Sequence, residues 1–342
     1  MRKEMKKMDP QIVQKPTNDF FNSLGIKINQ ISFLGKGEGS AVFKIDTSEQ
    51  VFCLKTALFP QRSKKVLNEA KIRQDFIDKG LTFVPPPIYI DQKYFEHGAV
   101  FYDFIEGKEP NFNSKNDLSQ MARYLAEIHK LDYKVTADGK EQIWKNYQFL
   151  HDVIESIKKR YSHLLNQDII HAFSKALEEY KIYIENNSEN ITIGISSILH
   201  GDISDNCITD TNGKLWLIDW ENSEYGDILD EIIGFISYSV KDDTLRDFFY
   251  EEYKHHFEPA KELNFKQLSE IYEMVFPVFN ICWGIDQLDS NLKHKLEPKR
   301  KLKDILFSAK NWSGYFSDST TKIILKGINQ MIDEVSKKID QP

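Results

Sequence analysis

Gly35, Gly37 and Gly39 stand at every second position inside Leu34–Ile45, and the residues after them read as a strand rather than a helix. Glycine lets backbone N–H groups approach an anion with no Cβ in the way. In dinucleotide-binding and Walker-type chains such a loop opens a helix. Here it runs into β-rich residues 41–46, a polar turn Thr47-Ser48-Glu49-Gln50, and a second strand Val51-Phe52-Cys53-Leu54-Lys55. A glycine loop within a hairpin argues against both of those folds. Alone it is weak evidence, because many such patterns are only turns.

The hairpin gives the loop a partner. Val42 and Lys55 lie equally far from the centre of the four-residue turn and are expected to pair. Lys55 is then presented beside Gly39 and Ser40, where an ammonium reaches α- and β-phosphates. A lysine inside an apolar strand needs a counter-charge if it is buried. Glu69, on the predicted helix around Val66-Leu67-Asn68-Glu69-Ala70, is the expected one. The ordinary alternatives are a solvent-facing edge lysine and a surface glutamate.

A second island carries carboxylates. Ile198-Leu199-His200-Gly201-Asp202-Ile203-Ser204-Asp205-Asn206-Cys207-Ile208 is followed, across Asp210-Thr211-Asn212-Gly213-Lys214, by Leu215-Trp216-Leu217-Ile218-Asp219-Trp220-Glu221. Asn-Gly between apolar runs predicts a two-residue type I′ turn. Counting outward from it pairs Ile208 with Leu217, Cys207 with Ile218 and Asn206 with Asp219. An amide oxygen and a carboxylate would then face each other roughly 5 Å apart at Cβ. Two hard oxygen ligands at that spacing suit Mg²⁺. Asp202, on the loop entering the hairpin, is the expected base toward a hydroxyl group, and His200 the expected anchor of that loop. The ordinary alternative makes all three polar residues simple turn flanks.

Around these islands the chain is segregated. Residues 28–107 read as strands with one helix, and the period becomes helical from about 110. Leu118, Met121, Leu125 and Ile128 form one apolar stripe; Ile170, Phe173, Leu177, Tyr180 and Ile184 form another. Strand signals return at 191–221, and 228–338 is helical again. This is an α+β pattern. The expected division is an N-lobe over 1–104, with a loose arm, a short helix around Phe20 to Leu24 and the glycine-loop hairpin. A helical C-lobe over 105–342 would carry the catalytic hairpin 198–221 and an acceptor pocket.

Taken together these segments resemble the aminoglycoside phosphotransferase and choline kinase-like superfamily of small-molecule kinases. The similar parts are the loop at 35–39, Leu54-Lys55, Asn68-Glu69-Ala70, Leu125-Ala126-Glu127-Ile128-His129, His200-Gly201-Asp202, Ile218-Asp219-Trp220-Glu221 and Tyr225-Gly226-Asp227. His-Gly-Asp with Ile-Asp-Trp-Glu points away from protein kinases. The resemblance implies a protein-kinase-like two-lobed fold and transfer of the γ-phosphate of ATP or GTP, with Mg²⁺, to a hydroxyl of a small molecule. It also implies a nucleotide hinge at Tyr102, Asp103, Phe104 and Ile105. Two departures stand out. Three residues, not the family's usual four, separate Asp202 from Asn206, and Glu231 falls where the family often has an aspartate. The shortened loop is the one feature favouring a competing class, a nucleotide-binding regulatory module without turnover.

Charge bears on the acceptor. Residues 1–107 hold 16 basic and 13 acidic side chains, and the remainder 29 and 39. An acidic acceptor lobe favours a cationic acceptor such as an aminoglycoside, although a solvated acidic surface has the same composition. Trp220, Trp283 and Trp312, with Tyr272 and Phe279, could instead cage a quaternary ammonium such as choline, unless they are core. No basic stripe with interleaved aromatics suggests a nucleic-acid partner. No apolar run approaches membrane-spanning length. Cys53, Cys207 and Cys282 are isolated, which fits reduced thiols in a cytoplasmic protein.

Overall fold

The computed structural model describes residues 11–37, 39–189, 191, 193–293 and 298–339. Residues 1–10 of the expected N-terminal arm (residues 1–27), and Glu38 of the glycine loop, lie outside the described residues. In chain order the elements begin with α1 (Gln11–Ser23), β1 (Ile28–Lys36), β2 (Ser40–Thr47), β3 (Val51–Ala57), α2 (Pro60–Asp78), β4 (Pro87–Asp91), β5 (Ala99–Asp103) and β6 (Gly107–Lys108). They continue with α3 (Lys115–His129), β7 (Lys134–Thr136), α4 (Gly139–Arg160), α5 (Gln167–Asn187), β8 (Gly194–Leu199), β9 (Cys207–Asp210), β10 (Leu215–Leu217) and β11 (Glu224–Asp227). Helices α6 (Ile228–Ser239), α7 (Asp243–His256), α8 (Phe265–Tyr272), α9 (Val275–Lys293), α10 (Pro298–Lys310) and α11 (Asp318–Ile339) follow. Among the described residues no helix is long and apolar enough to cross a membrane.

These elements cluster into two compact units. The first takes the described residues through Tyr133, with Ser197–Gly226 and Ser239–Glu258. Its large sheet has the order β1-β2-β3-β5-β4. Val42 pairs with Lys55, as the turn length requires, and the Thr47 hydroxyl closes that turn on the Gln50 carbonyl at 2.8 Å. Phe43, Ile45, Phe52, Leu54 and Phe101 are fully buried on one face of the sheet.

Helix α1 covers that face. The Phe20 ring stacks on Phe101 at 4.7 Å, and Phe21 meets Phe52 at 5.2 Å. Each fully buried phenylalanine contributes about 1.5–3 kcal/mol. The expected short helix around Phe20 therefore starts earlier, at Gln11, and is docked. Pro16 lies inside it, and a proline there reads from sequence as a break.

The hairpin of β9 and β10 departs from expectation by one residue. Leu217 pairs with Cys207 and Trp216 with Ile208, not Leu217 with Ile208. The link is a three-residue loop. Gly213 N–H donates to the Asp210 carbonyl at 3.0 Å, and Asp210 N–H to the Lys214 carbonyl at 2.9 Å. Gly213 sits at φ 81°, which makes this a type I turn followed by a bulge. Asp210 decides the choice, since its carboxylate accepts the N–H groups of Asn212 and Lys214 at 2.8 and 3.0 Å. Strand β6 then extends the hairpin, with Gly107 opposite Asp210.

The second unit takes Lys134–Ser196, Asp227–Tyr238 and the described residues from Pro259 onward. It is mainly helical. Ile169, Phe173, Tyr180 and Ile184 of α5 are fully buried, whereas Ile170 is only half-buried. Trp312 and Tyr272 are core residues here; Trp283 keeps an open face, with Lys301 Nζ 4.1 Å from its ring centre.

Candidate active site

Lys55 is the centre of a charge cluster built wholly within the first unit. Its Nζ donates to Glu69 Oε2 at 2.7 Å and to Asp219 Oδ1 at 2.6 Å. Glu221 Oε2 lies 3.0 Å away as a third ion-pair partner. Strand β3 supplies the lysine because its alternation points Lys55 and Cys53 away from the Phe52–Leu54 face. Helix α2 supplies Glu69, which has no solvent exposure.

Burial alone would lower the ammonium pKa. Glu69, Asp219 and Glu221 outweigh that cost and hold Lys55 above the ordinary lysine range. Desolvation likewise works against ionised Glu69, and Arg73 and then Lys55 overcome it, so its carboxyl is held low. Arg73, one turn along α2, hydrogen-bonds Glu69 and lies over the Tyr102 ring at 4.0 Å. Arg73 and Glu221 escaped the sequence reading. The i, i+4 spacing of Glu69 and Arg73 was the available signal for the first. For the second it was the position two residues past Asp219.

The second carboxylate centre is the loop from His200 to Asn206. His200 is fully buried; its Nε2 lies 2.8 Å from the Ile218 carbonyl, and its Nδ1 accepts the Asp202 N–H at 3.3 Å. These partners assign a neutral ring with the proton on Nε2, and the ring packs 4.3 Å from buried Trp220. Gly201 has φ 81°, and a Cβ there would stand 2.3 Å from the Asn222 carbonyl oxygen. Asp202, next in the loop, is exposed. Partial desolvation raises its carboxyl pKa, protonated His200 would lower it, and the Asp219 carboxylate raises it further.

The expected pairing of Asn206 with Asp219 does not form. With the register moved by one, Asn206 faces Ile218, whose N–H donates to the Asn206 carbonyl at 2.9 Å. The Asn206 amide nitrogen donates to the Asp202 carbonyl at 2.6 Å. Asp219 lies beyond the ladder with φ 61°, the one described non-glycine residue at positive φ. Aspartate tolerates that conformation better than most residues, and it directs the carboxylate to Lys55. Carboxylate oxygens of Glu69, Asp219 and Glu221 lie within 4.8 Å of one another. Lys55 Nζ contacts all three, so this set already holds the ammonium. The oxygen donors of the expected ligands Asp219 and Asn206 are of the type that fits a hard cation such as Mg²⁺ and not a thiophilic metal.

The glycine loop closes on itself through Gly37 N–H to the Ser40 carbonyl at 2.9 Å, and the Arg62 side chain lies across Gly39. Ser40 is buried. Gly35 falls within β1, opposite Val42, at a register shift. At the expected hinge, Tyr102 is buried and Asp103 exposed; Phe104 N–H donates to the Val51 carbonyl at 3.2 Å, and Ile105 is half-buried. Trp220, one of the candidate cage aromatics, is fully buried against Phe76.

Comparison with known proteins gives the family and the fold. The model of the phosphotransferase enzyme family matches residues 30–263. No curated protein matches the chain significantly. Among solved structures, an aminoglycoside 2′-phosphotransferase in a GDP complex is similar, with TM-score 0.62 and 13% identity over 89% of this chain and 99% of that one. A spectinomycin phosphotransferase in complex with ADP and spectinomycin gives TM-score 0.57 and 15% identity, over 92% and 98%. Choline kinase from Streptococcus pneumoniae gives 0.55 and 13%, over 94% and 99%. These likenesses show a kinase-like α+β fold.

Proposed function

The chain belongs to the phosphotransferase enzyme family, and from that premise we propose that it moves the γ-phosphoryl group of ATP or GTP to a hydroxyl of a small cationic molecule, as aminoglycosides are. The observation that carries this reading is Lys55, buried and hydrogen-bonded at once to Glu69 and Asp219. A buried ammonium between a helix carboxylate and a strand-end carboxylate, on the strand paired with β2 after the glycine loop, supports phosphate binding; turnover rests on Asp202.

In this reading the backbone of Gly35, Gly37, Gly39 and Ser40 cradles the phosphates, and Lys55 neutralises their α and β oxygens. The backbone from Tyr102 to Ile105 receives the base. Asp202 accepts the proton of the acceptor hydroxyl, and its raised pKa makes it a better base than an ordinary carboxylate. Asn206 and Asp219 would hold Mg²⁺, which when bound supplies charge neutralisation at the phosphates. The division into a 1–104 and a 105–342 lobe belongs to the same proposal. A cationic acceptor is favoured because residues 108–342 carry the excess of carboxylates.

The test incubates the protein with Mg-ATP and Mg-GTP and a panel of aminoglycosides, choline, ethanolamine, homoserine and sugars, reading acceptor mass. Phosphate gained by one cationic acceptor, and absent with Asp202→Asn, supports the reading. Phosphate gained only by an uncharged acceptor would remove the cationic part of it. Absence of product throughout, together with no nucleotide-dependent rise in melting temperature, would remove the kinase reading itself.

A further inference from the structure

The three carboxylates around Lys55 hold it unequally. Glu69 has no exposure and is fixed from behind by Arg73. Asp219 hydrogen-bonds Nζ at 2.6 Å from a backbone set at φ 61°. Glu221 makes the longest contact, an ion pair at 3.0 Å. Its side chain is 21% exposed, less than the 39% of Asp219, but Asp219 is held by its hydrogen bond and its shorter side chain. A glutamate has three rotatable side-chain bonds, so it can swing into solvent with no backbone change. Of the three it is the one a ligand can displace.

The charge balance makes displacement matter. Two cations, Lys55 and Arg73, stand against three carboxylates, Glu69, Asp219 and Glu221. An ammonium has three N–H groups, and two go to Glu69 and Asp219. A phosphate arriving at Lys55 therefore meets Glu221 both as a competitor for the remaining N–H and as a like charge.

We propose that Glu221 stands in for a nucleotide phosphate, holding Lys55 in the nucleotide-free protein and releasing it when a di- or triphosphate enters. This rests on the nucleotide-binding reading of the site. Glu221 is thus a positioning residue: it keeps the buried lysine oriented in the empty protein and sets the threshold a nucleotide must overcome. Its contribution is largest where no metal shields the phosphates.

Calorimetric titration of the full chain with ADP in the presence of EDTA tests this, comparing wild type with Glu221→Gln. The neutral variant should bind metal-free ADP about tenfold more tightly, the scale of one partly buried charge interaction, and high salt should shrink the difference. A glutamate with only a structural role gives equal or weaker binding on replacement, so tightening separates the two. Equal or weaker binding by folded Glu221→Gln, with wild type binding normally, overturns the proposal and leaves the nucleotide reading standing. Absence of binding by both proteins, with and without Mg²⁺, overturns both. Should Glu221→Gln fail to fold, Glu221→Asp keeps the charge but withdraws it by one methylene. It should then bind metal-free ADP more tightly than wild type, and the same comparison decides.

Discussion

His200 Nε2 lies 2.8 Å from the carbonyl oxygen of Ile218, which ties the loop carrying Asp202 to the strand end carrying Asp219. Replacing His200 by alanine leaves that carbonyl unpaired against a newly opened gap beside Trp220. His200→Ala should cost about 1–3 kcal/mol of stability for the unpaired group, with a further loss from the cavity, and should lower phosphate transfer more than nucleotide affinity. Chemical denaturation and a kcat-against-KM comparison check it. An unchanged kcat would show that Asp202 does not depend on this anchor.

The Glu69 carboxylate is shared by two buried cations. Glu69→Ala strands Arg73 and leaves Lys55 with only Asp219 and Glu221, and should destabilise by about 3–5 kcal/mol, the range for breaking a buried pair. Arg73→Met leaves Glu69 with Lys55 and should cost less. Both are read from urea midpoints. Equal costs would mean that Arg73, and not Lys55, is the principal counter-charge of Glu69.

Much of this was legible in the sequence wherever a local constraint fixed geometry. Turn length set the Val42–Lys55 pairing, and an apolar strand with one lysine called for a buried partner, which Glu69 is. The hairpin around Asn212-Gly213 was expected and is present, but its register was misread because Asn212-Gly213 suits two different turns. The side chain of Asp210 selects between them, an effect no dipeptide rule contains. Asp219 consequently reaches Lys55 and does not face Asn206. Helix α1 was understated because what fixes it, the burial of Phe20 and Phe21 against the sheet, is a tertiary gain. Glu221 was quoted only within a motif and given no role, because its contact with Lys55 joins residues far apart in the chain.

On the proposed mechanism Asp202 must be ionised to accept a proton. Desolvation, with the neighbouring Asp219 carboxylate adding to it, raises its pKa. Transfer should therefore rise with pH through a value above the ordinary carboxylate range near 4. Asp202→Asn should lower kcat by about 10²- to 10⁴-fold while nucleotide binding persists. A pH–rate profile whose acid limb falls at the ordinary value would count against Asp202 as the base.

Gly201 is required twice over, by φ 81° and by the 2.3 Å approach of the Asn222 carbonyl to the place of a Cβ. Gly201→Ala should cost at least about 1–3 kcal/mol for the backbone alone, and relief of the clash would shift Asp202. Thermal unfolding alongside activity reads both effects. A variant as stable as wild type would mean that the loop has a second accessible conformation.

Asp227, in the second unit, couples stability to pH. It is buried, its carboxylate accepts the Leu229 N–H at 3.0 Å, and it hydrogen-bonds the Tyr272 hydroxyl. Desolvation outweighs those bonds and raises its pKa to about 6. A carboxyl with a raised native pKa binds more protons folded than unfolded between the two values, so the slope of unfolding free energy with pH is negative there. Its contribution is complete below the unfolded value near 4, falls as pH rises, and is lost above about 6. Asp227→Asn cannot ionise, so wild type should lose stability relative to the variant from about pH 4 to about pH 6, after which the difference stays constant. Denaturant titrations of both proteins across that range check the sign. A difference that is flat with pH would show that the hydrogen bonds from Leu229 and Tyr272 fully offset the burial of the charge.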